Sequence, residues 1–223
     1  MKKFIVSVVV AALSSVSLLA QNPVVNNPDN KGYFGLRFGA DITCPGKVTA
    51  DNIGLSAFKN GGGVEFGGIY NIPVAANFYI EPGVKLFYDS YSLKKEWLEL
   101  IQDDIILNSA SINKFGIRIP VMFGYHFDFT KDFKMSIFTG PELEMGITSK
   151  EHIKGHNIDI SENQYGKDGD MNRTNFLWCF GAGITYQHVY FGISGGVGMS
   201  NMLKDSYSKF HESRVTIGLG YNF

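Results

Sequence analysis

Over most of its length this chain alternates apolar and polar residues with a period of two. The pattern is cleanest at the end, where Val215, Ile217, Leu219, Tyr221 and Phe223 share one phase and Arg214, Thr216, Gly218, Gly220 and Asn222 share the other. Successive side chains of a β-strand point to opposite faces, so such a segment has one uniformly apolar face and one face of polar and small residues. Seven further segments read the same way, at about 33–43, 62–72, 77–91, 112–127, 132–148, 174–187 and 189–200. In the first, Phe34, Leu36, Phe38, Ala40 and Ile42 oppose Gly35, Arg37, Gly39 and Asp41. In the fourth, Phe115, Ile117, Ile119, Val121, Phe123 and Tyr125 oppose Gly116, Arg118, Gly124 and His126.

The connections between these strands alternate in length. Long ones follow the first, third, fifth and seventh strands, at roughly 44–61, 92–111, 149–173 and 201–211. Short ones follow the second, fourth and sixth, at Pro73–Ala76, Asp128–Lys131 and Gln187–His188. An even-stranded barrel with both ends of the chain in the periplasm has this order, with short turns inside and long loops outside. Closure also removes the unpaired strand edges that hydrocarbon cannot satisfy.

The period alone does not say which face points inward. In a soluble exported barrel of the lipocalin kind, the apolar face would line a cavity for an apolar ligand and the charged face would meet water. The inverted arrangement is favoured because the polar phase is rich in glycine and carries both signs of charge, which suits a narrow lumen filled by paired side chains. Aromatic residues also gather near strand ends (Tyr33, Tyr70, Phe78, Tyr88, Phe127, Phe133, Tyr186, Phe191, Tyr221 and Phe223), where interfacial girdles belong. The expectation is an all-β, eight-stranded, antiparallel up-and-down transmembrane β-barrel over 33–223, with outer-membrane lipid against its apolar face.

The other end of the chain fits that location. Met1-Lys2-Lys3 precedes an apolar run from Phe4 to Ala20, interrupted by Ser7, Ser14, Ser15 and Ser17 and followed by Gln21-Asn22-Pro23. This order describes a cleavable signal peptide over 1–20, with 21–32 as an N-terminal periplasmic segment. Gln21 stands where a lipid anchor would require cysteine. After Ala20 no apolar run reaches the roughly 20 residues of a membrane-spanning helix, whereas a barrel strand needs only every second residue apolar. Without Lys2 and Lys3, the 20 basic residues fall to 18 against 21 acidic ones, and no basic block offers a nucleic-acid surface.

Pro82, Pro120 and Pro141 lie inside three consecutive predicted strands, and each removes a ladder donor. Bulges at these points would absorb the loss; a sheet that opens locally between the third and fifth strands is the alternative.

The candidate site is the set of charges on the polar phase: Arg37, Lys85, Arg118, Lys134 and Arg214 against Asp41, Glu65, Glu81, Asp89, Glu142 and Glu144. Five against six nearly cancel. Eight strands leave room for little beyond side chains, so a structural salt-bridge network that plugs the lumen is favoured over a selectivity filter or proton path. Other chemistry is weak. His152 and His156 are four apart among Glu151, Asp159 and Glu162, but Gly155 argues against a helix that would share a metal between them, and solvated loop histidines are expected. Asp168-Gly169-Asp170-Met171-Asn172 begins like a calcium loop, yet Arg173 takes the position of its glycine and Cys179 that of its terminal glutamate. His126 and His188 have no evident serine and acid partner at matching depth, so no enzyme, metal or cofactor is expected. Cys44 and Cys179 are expected as unpaired thiols. The 92–111 connection, with Trp97, Leu98, Leu100 and Ile101, is too apolar for a bare surface loop. It reads as a cover packed over the barrel mouth or a docking face for a protein partner.

The segment Phe115-Gly116-Ile117-Arg118-Ile119-Pro120-Val121-Met122-Phe123-Gly124-Tyr125 resembles a strand of the PorT-like outer-membrane β-barrel family of Bacteroidota. Ile80-Glu81-Pro82-Gly83-Val84-Lys85-Leu86-Phe87-Tyr88, Phe138-Thr139-Gly140-Pro141 and Gly220-Tyr221-Asn222-Phe223 are similar to other landmarks of that family. The resemblance implies an eight-stranded barrel without catalytic residues; the strand ending at Phe223 is separately expected to be the contact with the barrel-assembly machinery. The resemblance also implies kinship with a protein of a secretion and gliding system.

Overall fold

The computed structural model describes residues 31–50, 53–100, 107–155, 158–167, 169–205 and 207–223. The expected signal peptide and most of the segment after it lie outside the described residues, as do Ile101, His156 and Asp168. In chain order the strands are β1 (Tyr33–Pro45), β2 (Val48–Ala50), β3 (Ile53–Leu55), β4 (Gly61–Ala75), β5 (Phe78–Ser92), β6 (Leu107–Asp128), β7 (Phe133–Gly155), β8 (Ile158–Asn163), β9 (Thr174–Tyr186), β10 (Val189–Gly198), β11 (Ser208–Lys209) and β12 (Glu212–Asn222). One short helix, α1 (Lys95–Leu100), lies between β5 and β6.

Eight of these strands pair antiparallel in the order β1, β4, β5, β6, β7, β9, β10 and β12, and β12 pairs back onto β1. Each therefore has two neighbours, so its backbone donors and acceptors are met within the sheet, as a bilayer demands. The two tightest turns hold Ala76 at φ 48° and Gln187 at φ 53°. A positive φ of this kind reverses the chain between right-twisted strands.

The two phases separate as the inverted barrel requires. Phe38, Phe66, Phe180, Ile193, Ile217 and Leu219 lie in the outward phase and are each about half exposed, while Arg118, Asp89 and Lys114 in the inward phase are wholly buried. An apolar exterior around a charged interior disfavours the lipocalin-like alternative. Rings cluster at the rim of the short turns, with Phe34 against Phe223 at 5.9 Å, Phe78 against Tyr125 at 4.9 Å, and Tyr221 against Phe223 at 5.0 Å. Tyr33 was expected in this girdle but sits in the inward phase, with its ring under the Lys134 ammonium at 5.5 Å.

Pro82, Pro120 and Pro141 are accommodated without bulges. Around Pro82 and Pro120 the pairing of β5 with β6 skips from Pro82–Val121 to Lys85–Arg118 and resumes in the same register. The β6–β7 pairing does likewise between Pro120–Glu142 and Phe123–Thr139. The lost donors thus open the ladder for two residues at a time, and the register on either side holds the sheet together. Register shifts occur elsewhere, at Pro73/Ala75, Leu107/Ser109 and Phe115/Gly116.

β6 and β7 run well past the lipid. At about 3.3 Å per residue, the 22 residues of β6 span about 70 Å of strand. Tilted by about 40°, that length still rises roughly twice the height of a 25 Å apolar belt. The outer parts carry Lys150, Glu151, His152 and Lys154, which break the period of two, and β8 pairs with this projecting end of β7. The stretch expected as a loop over 149–173 is therefore partly a three-stranded extension of the wall, and His152 belongs to a strand. Above the mouth β11, β2 and β3 form a separate small sheet. Beside it Tyr91, Ile112, Tyr165, Met171, Met202 and Phe210 make an apolar cluster. In the 92–111 connection Leu98 is buried, Trp97 donates its indole N–H to Ser56 O at 3.3 Å, and Lys94 donates to Ser56 Oγ at 2.9 Å.

The orientation can be tested with single cysteines at 215, 217 and 219 of β12, in a background with Cys44 and Cys179 replaced by serine. All three are expected to react with a lipid-soluble reagent and resist a water-soluble one; protection from both would place them inside. In the same strand Ile217→Arg is expected to cost about 2–4 kcal/mol at mid-belt, measured as a shift in the urea midpoint for unfolding from lipid.

Candidate functional site in the barrel lumen

Arg118 is contributed by the middle of β6, on the phase that points inward, and its side chain is fully buried. A guanidinium offers five N–H donors in one plane, and four carboxylates from four strands take four of them. Nη1 donates to Asp41 Oδ2 of β1 at 2.6 Å and to Glu65 Oε2 of β4 at 2.8 Å. Nη2 donates to Asp89 Oδ2 of β5 at 2.5 Å, and Nε donates to Glu144 Oε2 of β7 at 3.0 Å. The flat face of the group lies over the Phe87 ring at 4.2 Å, a contact that guanidinium makes readily because it is weakly hydrated.

Four carboxylates around one cation would repel one another without further positive charge, and three neighbouring cations supply it. Lys85 donates to Glu65 at 2.6 Å. Arg214 of β12 meets Glu142 at 2.6 Å, Glu144 at 3.5 Å and Asp41 at 3.7 Å. Lys114 meets Glu144 at 3.4 Å and is also paired with Glu212. The Thr216 hydroxyl donates to Asp41 Oδ1 at 2.6 Å. A smaller group lies toward the short turns, where Arg37 is 4.0 Å from Glu81, donates to Asn222 Oδ1 at 2.8 Å and lies over the Tyr190 ring at 4.2 Å. Gly183 and Gly192 make room for that ring, since a Cβ at either would fall 2.4 Å or less from a Tyr190 atom.

The structure thus joins Asp41, Glu65, Lys85, Asp89, Arg118, Glu142, Glu144 and Arg214 in one connected set. Arg37 and Glu81 form a second set, and Lys134 stands apart over Tyr33. Sequence reasoning missed two members, Lys114 and Glu212, both nearly or wholly inaccessible. The signal was present. Lys114 lies two residues before Gly116 and four before Arg118 in the same phase, and Glu212 lies two before Arg214.

Seven buried side-chain polar atoms have no partner among the described residues. Six are oxygens, on Thr43, Asp89, Tyr91, Ser149, Asn175 and Glu212, and the seventh is His126 Nδ1. Buried polar atoms of this kind are usually satisfied by ordered water. No cluster of three or more His, Cys, Asp or Glu suited to a metal ion occurs among the described residues. A serine does stand at the depth of His126, because Ser136 is its cross-strand partner. The Ser136 hydroxyl, however, donates to Gly183 O at 3.4 Å, and the His126 ring stacks on Tyr79 at 4.1 Å with Nε2 3.4 Å from Asn71 Nδ2. Neither contact readies a nucleophile. Cys44 donates to Ile42 O at 3.7 Å, and Cys179 packs with Met122 and Leu177 in the lumen.

A ring of eight antiparallel strands with an apolar exterior and a charged interior defines an outer-membrane β-barrel. The chain belongs to the outer membrane protein beta-barrel domain family, whose model matches residues 20–204, and the protein resides in the outer membrane. Among solved structures it is similar to OprG of Pseudomonas aeruginosa, at 13% identity over 86% of this chain and 96% of that one, with a TM-score of 0.46. It is similar also to Ail, the attachment invasion locus protein of Yersinia pestis, at 13% identity over 87% and 100% with a TM-score of 0.42. A third is Neisserial surface protein A, at 11% identity over 87% and 100% with a TM-score of 0.44. No curated protein matches the chain in sequence.

Arg118→Met would leave four carboxylates facing one another without their shared cation. A loss of about 3–5 kcal/mol is expected, as for other broken buried ion pairs, read from the urea midpoint and from heat-modifiable migration on a gel. Arg118→Lys should recover only part of this, because one compact ammonium cannot meet four carboxylates on four strands. Adding Asp41→Asn and Asp89→Asn to Arg118→Met should recover more. Wild-type stability in Arg118→Met alone would show that the cluster is not held by this residue.

Proposed function

We propose that the protein is a non-enzymatic barrel of the outer membrane with a structural or protein-interaction role, its lumen closed by its own side chains. The observation that carries this reading is the position of Arg118, which draws carboxylates from β1, β4, β5 and β7 across the interior. An eight-stranded barrel is wide enough for side chains and little else, and this network spans that width. The lumen cavity of about 60 Å³, lined in part by Glu65, Lys85, Glu142 and Arg214, has room for a few waters, each of which needs about 10–15 Å³. In this reading Arg37, Asp41, Glu65, Glu81, Lys85, Arg118, Lys134, Glu142, Glu144 and Arg214 serve structure rather than transport.

The finer parts of the reading rest on the sequence. Resemblance to PorT-like barrels supports a place near a secretion system of Bacteroidota, and the strand ending at Phe223 is separately expected to be the contact with the barrel-assembly machinery. The 92–111 connection is the segment we assign to a protein partner, with the half-buried Trp97 as its aromatic anchor.

Planar-bilayer recording of the pure protein tests the closed lumen. Wild type is expected to show no steady unit conductance in molar salt, and Arg118→Ala, where it still inserts, should show brief openings as the network loosens. Large, steady unit conductance from the wild-type protein would contradict the reading.

A further inference from the structure

The loops above the membrane enclose a cavity of about 170 Å³. It forms where three connections meet the outer ends of β5, β6 and β7, and its walls come from residues far apart in sequence. Phe58, Tyr91, Ile112, Met171, Leu203 and Phe210 make the apolar part. Three of these are rings that hold one another in place, with Phe58 edge-on to Tyr91 at 5.4 Å and tilted against Phe210 at 5.4 Å. Tyr91, Met171 and Phe210 are almost inaccessible, so their positions are set by packing rather than by solvent.

One side of the cavity is polar, and both of its charged groups are carboxylates. Glu151, Gln164 and Asp170 line it. The Gln164 amide is committed at both ends, donating through Nε2 to Glu151 and accepting through Oε1 from the Asp170 backbone N–H at 3.4 Å. Two carboxylates are therefore left for a guest. The Lys204 ammonium nearby is engaged by the carbonyls of Gly166, at 2.7 Å, and Gly169. Asp170 is exposed, so the acidic side is the side that meets solvent. Burial lifts the Glu151 carboxyl above its ordinary range, and the negative charge of Glu162 adds to the lift. Such a group gains from a cation placed against it.

Size and polarity together define the guest. A cavity of about 150 Å³ with Leu, Ile and Phe walls holds a benzene molecule, so this one admits a single ring with a short substituent. Aromatic walls favour a ring through edge and offset contacts, and the acceptor side requires a head that donates hydrogen bonds. We propose that this cavity is a binding site for a small aromatic amine, a single ring carrying a short protonated amino group, with the ring among Phe58, Tyr91 and Phe210 and the ammonium toward Glu151 and Asp170. The site lies above the charge network and does not depend on whether the lumen conducts.

The test uses the full protein in lipid nanodiscs with labelled Ile and Met methyl groups. Benzylamine at neutral pH is expected to shift the methyl signals of Ile112 and Met171 with saturation at one molecule per barrel. Toluene should bind at least tenfold more weakly, and benzoate should produce no saturable shift. Glu151→Gln keeps the acceptor for Gln164 but removes the charge, and should weaken benzylamine at least fivefold while leaving toluene unchanged. Leu203→Trp fills the cavity and should abolish both. Equal binding of toluene and benzylamine would overturn the assignment of the head group. Shifts confined to the outward Ile137 and Ile147 methyls would mean partition into lipid, and would overturn the site.

Discussion

Arg118 presents its donors in a plane at the centre of the barrel, and four strands reach that plane with a carboxylate. This is an unusual way to fill a protein interior. In an ordinary core the strands are held by apolar contact, which is tolerant of small rotations. Here most apolar residues face outward and only a few, such as Phe87, Met122 and Leu177, pack inward, so the middle of the interior is held largely by charge. A buried cation and buried anions are each expensive to remove from water, and their mutual attraction offsets that expense only when the geometry is good and the remaining lone pairs are met. Distances of 2.5–3.0 Å to four carboxylates meet the first condition. Lys85, Lys114, Arg214 and Thr216 go far toward the second.

Three layers follow along the barrel axis. Near the short turns Arg37, Glu81, Tyr190 and Tyr79 with its stacked His126 fill the interior with rings and one ion pair. The Arg118 network fills the middle. Toward the outside Lys114 and Glu212 complete the charges, and Tyr91 begins the apolar cluster that continues into the loops. Tyr91 links the two regimes, because its ring lies 5.7 Å from the Lys114 ammonium and also packs edge-on against Phe58. The polar interior is thus bordered on its outer side by an apolar cluster, beside which lies the cavity assigned to an aromatic amine.

The wall of the barrel was legible in the sequence because a period of two is a local signal. All eight strands fall where the alternation puts them, and the inward and outward phases follow it residue by residue through β12. The ends were less legible. The alternation fades in the outer parts of β6 and β7, where water replaces lipid and both faces can be polar, so strand continued where a loop was expected. Lys114 and Glu212 were missed for a related reason, since they lie at the outer margin where a count of lumen charges stops too early. The prolines show a limit of another kind. Losing one donor can be met by a bulge or by a short gap in the ladder, and only the pairing on both sides decides between them. The cavity was not legible at all. Phe58, Tyr91, Ile112, Met171, Leu203 and Phe210 come from three loops and the outer ends of β5 and β6 and share no spacing, so their meeting is a property of the closed fold.

The central claim is that the Arg118 guanidinium is held rigidly by carboxylates and shielded from water. The nitrogen-bound protons of this one side chain report on it directly, by NMR of the protein labelled with nitrogen-15 arginine in lipid. The account predicts separate, slowly exchanging Nη resonances for Arg118, with rotation about its Cζ–N bonds arrested and no contact to the water signal. A single averaged Nη resonance in fast exchange with water would mean a solvated, mobile side chain, and would contradict the account.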